Sequence, residues 1–355
     1  PGNLNHVFYG CGGSVANDTA VRIIHFYFNQ LGKTTKKKII SRIDGYHGST
    51  YMAMSITGVE FDHVGFDVDN QMVHHISCPN PYRRTEGMSL EDFCDSKVAE
   101  LEDKILELGA DNVAAFFAEP IFGAGGVIVP PPGYHRKTQE VCNKYGVLYV
   151  SDEVVTGFGR LGHMFASKDE FDLQPDIITC AKGLTSGYLP LSATILSDDI
   201  YDVISIPQAK GALFTHGFTY SGHPVSCAAG LKNIEIMERE NLCEHVNDVG
   251  DYFERQLKTL EDLDIVGEVR GRKFMMCIEN VADKQTKELL HEDAEVGARI
   301  ANHCEKRGLI VRPLAHMNVL SPPLVMTRKD VDKMVNILRE SITETMSDLS
   351  NDGFL

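Results

Sequence analysis

The sequence predicts an α/β fold: a large domain on a mainly parallel central sheet, followed by a smaller α+β domain. Three observations carry this expectation. From about residue 7 to residue 240, apolar runs of strand length alternate with amphipathic stretches of helix length, the pattern of βαβ units. Several of these runs end at their carboxyl side in an acid, a lysine or a polar loop, which is where ligands sit in open α/β sheets. A shift in composition around Arg239 to Asn241 sets off a last third with helices and strands of its own, so the domains are expected at 1–239 and 240–355.

Val7-Phe8-Tyr9 reads as a short strand. Gly10-Cys11-Gly12-Gly13-Ser14 then opens a helix through Val21, Ile24, Phe28 and Leu31 that stops at Gly32. Glycines at a helix start let backbone N–H groups face an anion, with the helix dipole adding to the attraction. A plain N-cap by Ser14 is the other reading. Lys38–Arg42 reads as a strand ending in Asp44-Gly45-Tyr46-His47-Gly48, where Tyr46 either stacks on a flat ligand or plugs the turn. Residues 60–92 read as loop, and 90–108 as a helix closed by Gly109.

Val113–Ala118 is a buried strand that delivers Glu119. The glycines and prolines of 122–133 lack the strand-turn-helix setting of a phosphate fingerprint. A helix over 134–145 leads into the run 147–154, which delivers Asp152, and Ile177–Cys180 is followed at once by Ala181-Lys182-Gly183. An apolar run at 191–196 precedes the glycine-rich loop 214–224, and Pro224 suits the first turn of a helix over 225–240. In the last third, helices are expected at 242–262, 291–307 and 328–348, with strands near 268–270, 274–278 and 309–311.

Composition narrows the class. With 355 residues, 43% hydrophobic and 24% charged, the chain has material for a large core. A formal net charge of −16 argues against nucleic-acid and anionic-membrane surfaces, so an anion site must be built locally. No apolar run approaches the roughly 20 residues that span a bilayer, and the first residues lack a basic stretch before an apolar one, so a cytoplasmic enzyme is expected. The nine cysteines are scattered, never as C-x-x-C, and read as reduced thiols rather than disulfides or metal ligands.

A lysine amine forms Schiff bases, and a carboxylate facing it across a small aromatic ring holds a ring nitrogen protonated. Those are the protein's two electronic contributions in pyridoxal phosphate enzymes. Lys182 and Asp152 suit the two roles, the Gly13-Ser14 turn supplies a phosphate site, and Tyr46 supplies a stacking face. Taken alone, the acid and the lysine read equally well as strand-end caps.

Six stretches in order along the chain carry a resemblance: Ala16-Asn17-Asp18-Thr19-Ala20, Gly45-Tyr46-His47-Gly48, Ala118-Glu119-Pro120, Asp152-Glu153-Val154 with Thr156-Gly157-Phe158-Gly159-Arg160, 181–188 and 216–224. The chain resembles the class III aminotransferases of fold type I, the branch of ω-amino acid:pyruvate and amine:pyruvate transaminases. The resemblance implies pyridoxal 5′-phosphate held as an internal aldimine on Lys182, with Asp152 at the pyridine nitrogen and Val154 and Tyr46 on the two ring faces. It further implies Gly13 and Ser14 at the phosphate, His47 and Glu119 beside the cofactor, and Thr219 reaching the phosphate of the neighbouring subunit in a homodimer or dimer of dimers.

Arg312 matches a mobile arginine that binds a substrate carboxylate, where sequence alone reads a surface or salt-bridged side chain. The implied reaction moves an amino group from an ω-amino acid or amine to a keto acid, with pyruvate expected. The alternatives are a truncated cofactor-binding homologue with little catalysis, or a same-fold aminomutase or phospho-lyase. In two places the chain departs from the family pattern. Gly12 and Val15 stand where a serine and a glutamate are usual in the phosphate turn, and the start reads as lacking a segment ahead of Pro1.

Overall fold

The computed structural model describes residues 2–355. Seven strands form the first sheet: β1 (Leu4–Gly10), β2 (Lys38–Arg42), β3 (Val73–Ile76), β4 (Val113–Ala118), β5 (Leu148–Asp152), β6 (Ile177–Cys180) and β7 (Ser192–Ser197). Their spatial order is β1-β7-β6-β5-β4-β2-β3. The pairs β6–β5, β5–β4, β4–β2 and β2–β3 are parallel, whereas β7 runs antiparallel to both its neighbours. Every residue of β4 is buried, as expected of a central parallel strand covered on both faces.

Strand alternation divides the core of this unit in two. Ile39, Phe117 and Val150 face helix α1 (Gly13–Gln30), packing with its Ala20, Ile23 and Ile24. Their sequence neighbours Ile40, Phe116 and Tyr149 face the other way, against Leu101 and Ile105 of the helix Leu90–Leu108 and Val141 and Cys142 of the helix Tyr134–Tyr145. Both of those helices begin and end where the sequence places them, because their ends are chemically marked. Ser89 caps the first by accepting from the Asp92 N–H, and Gly133 and Gly146 flank the second in left-handed conformation. Strand β3 differs from expectation, since it lies inside the stretch read as loop.

The chain divides into two compact units, one made of residues up to Gly125, 130–158 and 163–240, the other of 126–129, 159–162 and 241–355. Neither short excursion into the second unit is marked by composition. The second unit holds an antiparallel sheet of β8 (Val266–Arg272), β9 (Met275–Asn280), β10 (Arg312–Leu314) and β11 (Met317–Leu320), in the order β10-β11-β9-β8. Its core joins Val246 and Phe253 to Phe274, Ile278, Ile300 and Leu338. The strand expected at 309–311 lies three residues later, because the turn at Ala315, with φ 49°, pairs Leu314 with Met317 and so sets where the hairpin can start. None of the nine cysteines forms a disulfide among the described residues, and no helix among them is long and apolar enough to cross a membrane.

Asp176 holds the start of β6 to β5, its carboxyl accepting the Tyr149 N–H at 2.7 Å. Burial pushes this carboxyl up from 3.8 to about 6, with Asp199 nearby adding to the shift. Because the folded value lies above the ordinary one, folding favours the protonated form. The stability this group contributes is full below the ordinary value and is lost as pH rises through about 6. Asp176→Asn keeps an acceptor for the Tyr149 N–H and is expected to flatten that slope, as read from urea midpoints between about pH 4 and about pH 7.

Candidate active site

Asp152 ends β5 directly opposite Thr179 of β6, and only 4% of its surface is exposed. A carboxylate accepts only, and three donors from three segments converge on it. The Asn17 Nδ2 and His47 Nδ1 lie 2.8 Å from Oδ2, and the Val154 N–H donates to Oδ1 at 3.0 Å. The proton of the His47 ring therefore sits on Nδ1. Asn17 also donates to the His47 carbonyl at 2.6 Å and accepts from Thr179 Oγ1 at 2.8 Å, while the His47 N–H donates to Thr57 Oγ1 at 2.9 Å. Helix α1, the loop after β2, and strands β5 and β6 are thus tied at one buried carboxylate.

Lys182 follows β6 and opens the short 3-10 turn Lys182–Thr185 with φ 31°, a conformation that non-glycine residues rarely adopt. The turn is pinned from outside. Asn233 Nδ2 donates to the carbonyls of Gly183 at 2.8 Å and Leu184 at 3.2 Å, and a Cβ on Gly183 would lie 2.9 Å from Phe158 Cβ. The Lys182 side chain itself is exposed. A fixed backbone thus carries a free amine at the carboxyl end of the strand next to Asp152.

At the start of α1, Gly12 is extended, no side chain caps the helix, and the first turn holds no acid. Ser14 lies inside the helix rather than capping it, and its Oγ accepts the Ser49 N–H at 3.1 Å. Uncapped N–H groups at the head of an 18-residue helix are a ready anion site. Gly13 is needed for space, since a Cβ there would meet Val154 Cγ1 at 3.0 Å.

The half-buried Tyr46 is positioned by Glu119, whose Oε1 accepts the Tyr46 N–H at 3.0 Å and whose Oε2 accepts the Gly123 N–H at 2.7 Å. Burial pushes the Glu119 carboxyl up, opposed by His47 and reinforced by Asp152. Arg42, fully buried, donates to the Glu119 carbonyl at 2.6 Å and lies 4.0 Å from the centre of the Phe122 ring. Gly13, Ser14, Tyr46, His47, Glu119, Asp152 and Val154 therefore form one connected group.

Thr219 does not join that group; it is exposed on the loop before the helix Pro224–Arg239. That loop is moored three residues earlier, where His216 Nε2 lies 2.9 Å from Thr19 Oγ1. Arg312 is exposed at the head of β10 in the other unit, paired with Val319. Sequence reasoning did not single out Asn17, Thr57 or Thr179. For Asn17 a signal existed: it lies four, seven and eleven positions before Val21, Ile24 and Phe28, so a polar side chain stands on the buried face of α1.

Asn17→Ala is expected to destabilise the protein by about 1–3 kcal/mol, because it strips a donor from buried Asp152 and leaves the Thr179 hydroxyl unpartnered. Urea unfolding against the wild type checks this.

The comparisons with known proteins agree with one another. The family model described as Aminotransferase class-III matches residues 1–342. The chain is 43% identical to an uncharacterized aminotransferase, y4uB, of Sinorhizobium fredii, over 99% of this chain and 76% of that protein. It is 41% identical to a probable gamma-aminobutyrate transaminase 4 of Oryza sativa subsp. japonica, over 96% of this chain and 71% of that one. Among solved structures it resembles the omega transaminase from Pseudomonas jessenii in complex with PMP, with a TM-score of 0.94 and 38% identity over 98% of this chain and 76% of that one.

Proposed function

The chain belongs to the class III aminotransferases, enzymes that depend on pyridoxal 5′-phosphate, and on that premise we propose that it moves the amino group of an ω-amino acid or amine to a keto acid, with pyruvate as the expected acceptor. The observation that carries this reading is the juxtaposition at the ends of β5 and β6: a buried carboxylate fixed by three donors, and a free lysine on a pinned, strained backbone. The residues present fit the cofactor. The uncapped start of α1 suits a phosphate, and Gly13 leaves room for Val154 to close against it.

When bound, pyridoxal phosphate supplies an aldehyde for amine exchange and a ring that takes up an electron pair. The chain's own residues do the rest. The first-turn N–H groups of α1, with Gly13 and Ser14, would hold the phosphate. Tyr46, set by Glu119, and Val154 would pack against the ring. Asp152, oriented by Asn17 and His47, would keep a proton on the ring nitrogen. The Lys182 Nζ would hold the cofactor covalently and would serve as the general base for the proton on the substrate carbon. In this reading Arg312 binds a substrate carboxylate, and two copies pair so that Thr219 of each serves the other's phosphate. Apart from 126–129 and 159–162, which group with the second unit, and Glu240, which groups with the first, residues 1–239 would then form the cofactor domain and 240–355 the small domain.

Lys182→Ala is expected to abolish turnover; multiple turnovers by that variant would sink the assignment. The holoenzyme should be yellow, bleach with an amine donor and recover with pyruvate. Colour that no donor in a panel of β-alanine, taurine, γ-aminobutyrate, polyamines and arylalkylamines can bleach would overturn transamination. Because Gly12 lacks the hydroxyl usual in this turn, Gly12→Ser is expected to tighten cofactor binding by about 1 kcal/mol, roughly fivefold in Kd, by titration of the cofactor-free protein.

A further inference from the structure

Ser14 stands in the first turn of α1, and Asp18 follows one turn later on the same face. An acid is out of place there, because a carboxylate about 6 Å along the helix from an anion site repels the anion. Its partners show what it is for.

Both side chains hold one stretch of the loop after β2. The Ser49 N–H donates to Ser14 Oγ at 3.1 Å, and the Ala53 N–H donates to Asp18 Oδ1 at 2.9 Å. The acceptors are four positions apart on the helix and the donors four apart on the loop, so the two segments are fastened in register. The Thr50 hydroxyl is shared between the Asp18 carboxyl and the Ser14 carbonyl, the latter 3.4 Å away. Gly48, with φ 133°, passes so close to Ser14 that a Cβ would overlap its side chain.

Ala53 lies in the first turn of helix α2 (Tyr51–Ile56), whose own N-cap residue, Thr50, makes no side-chain cap bond. Asp18 therefore caps α2 from another helix. Burial pushes its carboxyl up, while the Thr50 hydroxyl, the Ala53 N–H and His216 oppose that shift.

We propose that Asp18 is a positioning residue for the cofactor phosphate: by holding the loop at Ala53 it keeps the Ser49 N–H on Ser14 Oγ, and this bond leaves the Ser14 hydroxyl proton for the anion. The inference rests on the head of α1 being the phosphate site, as read above.

A serine hydroxyl has one proton and two lone pairs. The Ser49 N–H takes the side of Ser14 Oγ that faces the loop, so the proton cannot point there, and among the described residues it has no acceptor. Charge and position then act with opposite signs. Loss of the Asp18 charge by itself favours an anion at the head of α1, whereas release of the loop disfavours it. Asp18→Ala loses both charge and acceptor; Asp18→Asn loses only the charge and keeps an oxygen for the Ala53 N–H.

Titration of the cofactor-free protein with pyridoxal 5′-phosphate separates these effects. Asp18→Ala is expected to weaken binding roughly fivefold although it removes a negative charge, and Asp18→Asn to bind at least as tightly as the wild type. In a Ser14→Ala background, Asp18→Ala should have no further effect. Wild-type or tighter binding by Asp18→Ala, equal weakening in Asp18→Asn, or additivity with Ser14→Ala would overturn the proposal. A crystal structure of the wild-type holoenzyme tests it without any variant: Ser14 Oγ should lie within about 3.2 Å of both the Ser49 nitrogen and a phosphate oxygen, and loss of either contact counts against it. Unchanged affinity in Ser14→Ala would strike the phosphate reading itself, whereas a weakened Ser14→Ala beside an unaffected Asp18→Ala strikes this proposal alone.

Discussion

Burial of the Asp152 carboxylate is the constraint on which the first unit depends. A buried charge is tolerated only when it is fully hydrogen bonded, and here the donors come from α1, from the loop after β2 and from the chain beyond β5. Each donor has needs of its own. Asn17 must keep its amide between the His47 carbonyl and Asp152 while its oxygen meets Thr179, which fixes the rotation of α1 on the sheet. His47 must keep its backbone on Thr57, which fixes the loop. One side chain thereby sets the register of four segments far apart in sequence.

The same helix is costly at its other functional point. Leaving the head of α1 uncapped, with no acid in its first turn, forgoes stabilisation that most helices take, roughly 1 kcal/mol for the cap alone. Packing of Ala20, Ile23 and Ile24 against the sheet offsets that loss and leaves the N–H groups for an anion. Lys182 follows the same logic, its positive φ being held by Asn233 and by the Phe158 contact rather than by its own side chain. Stability is given up at both points, the head of α1 and the backbone of Lys182.

This explains which parts of the molecule were legible in sequence. The helices 90–108 and 134–145 could be read because caps and glycines mark their ends, and the ends of β5 and β6 because buried apolar runs stop at charged residues. Strand β3 could not, since four residues with two histidines at their centre have no periodicity to detect. Strand β10, Arg-Pro-Leu, owes its place to the turn that follows it rather than to apolar content. The Asn17 network was hidden for a different reason: its bonds span 30, 135 and 162 positions, and no local pattern reports them. Ser14 misled in the other direction, because a serine after glycines looks like a cap until the helix is seen to begin one residue earlier.

Adjacent acids pose a last question: why Asp152, rather than Glu153, faces the site. Both are buried, and strand alternation sends them to opposite sides. Glu153 accepts from the Ala166 N–H at 2.7 Å, the Ser167 N–H at 2.9 Å, the Ser167 hydroxyl, and Thr156 Oγ1 at 3.1 Å, which leaves its carboxyl no capacity for a ligand. Its carbonyl accepts the Gly157 N–H at 3.0 Å, closing the turn that leads to Phe158. Phe158 is the side chain against which Gly183 packs, one residue after Lys182. Glu153 therefore acts through the backbone: while Asp152 is held by Asn17, His47 and Val154, its neighbour braces the turn that carries the Phe158 side chain to the backbone beside Lys182. Replacing one acid by the other would lose both functions, since neither the donors around Asp152 nor those around Glu153 could follow the exchange.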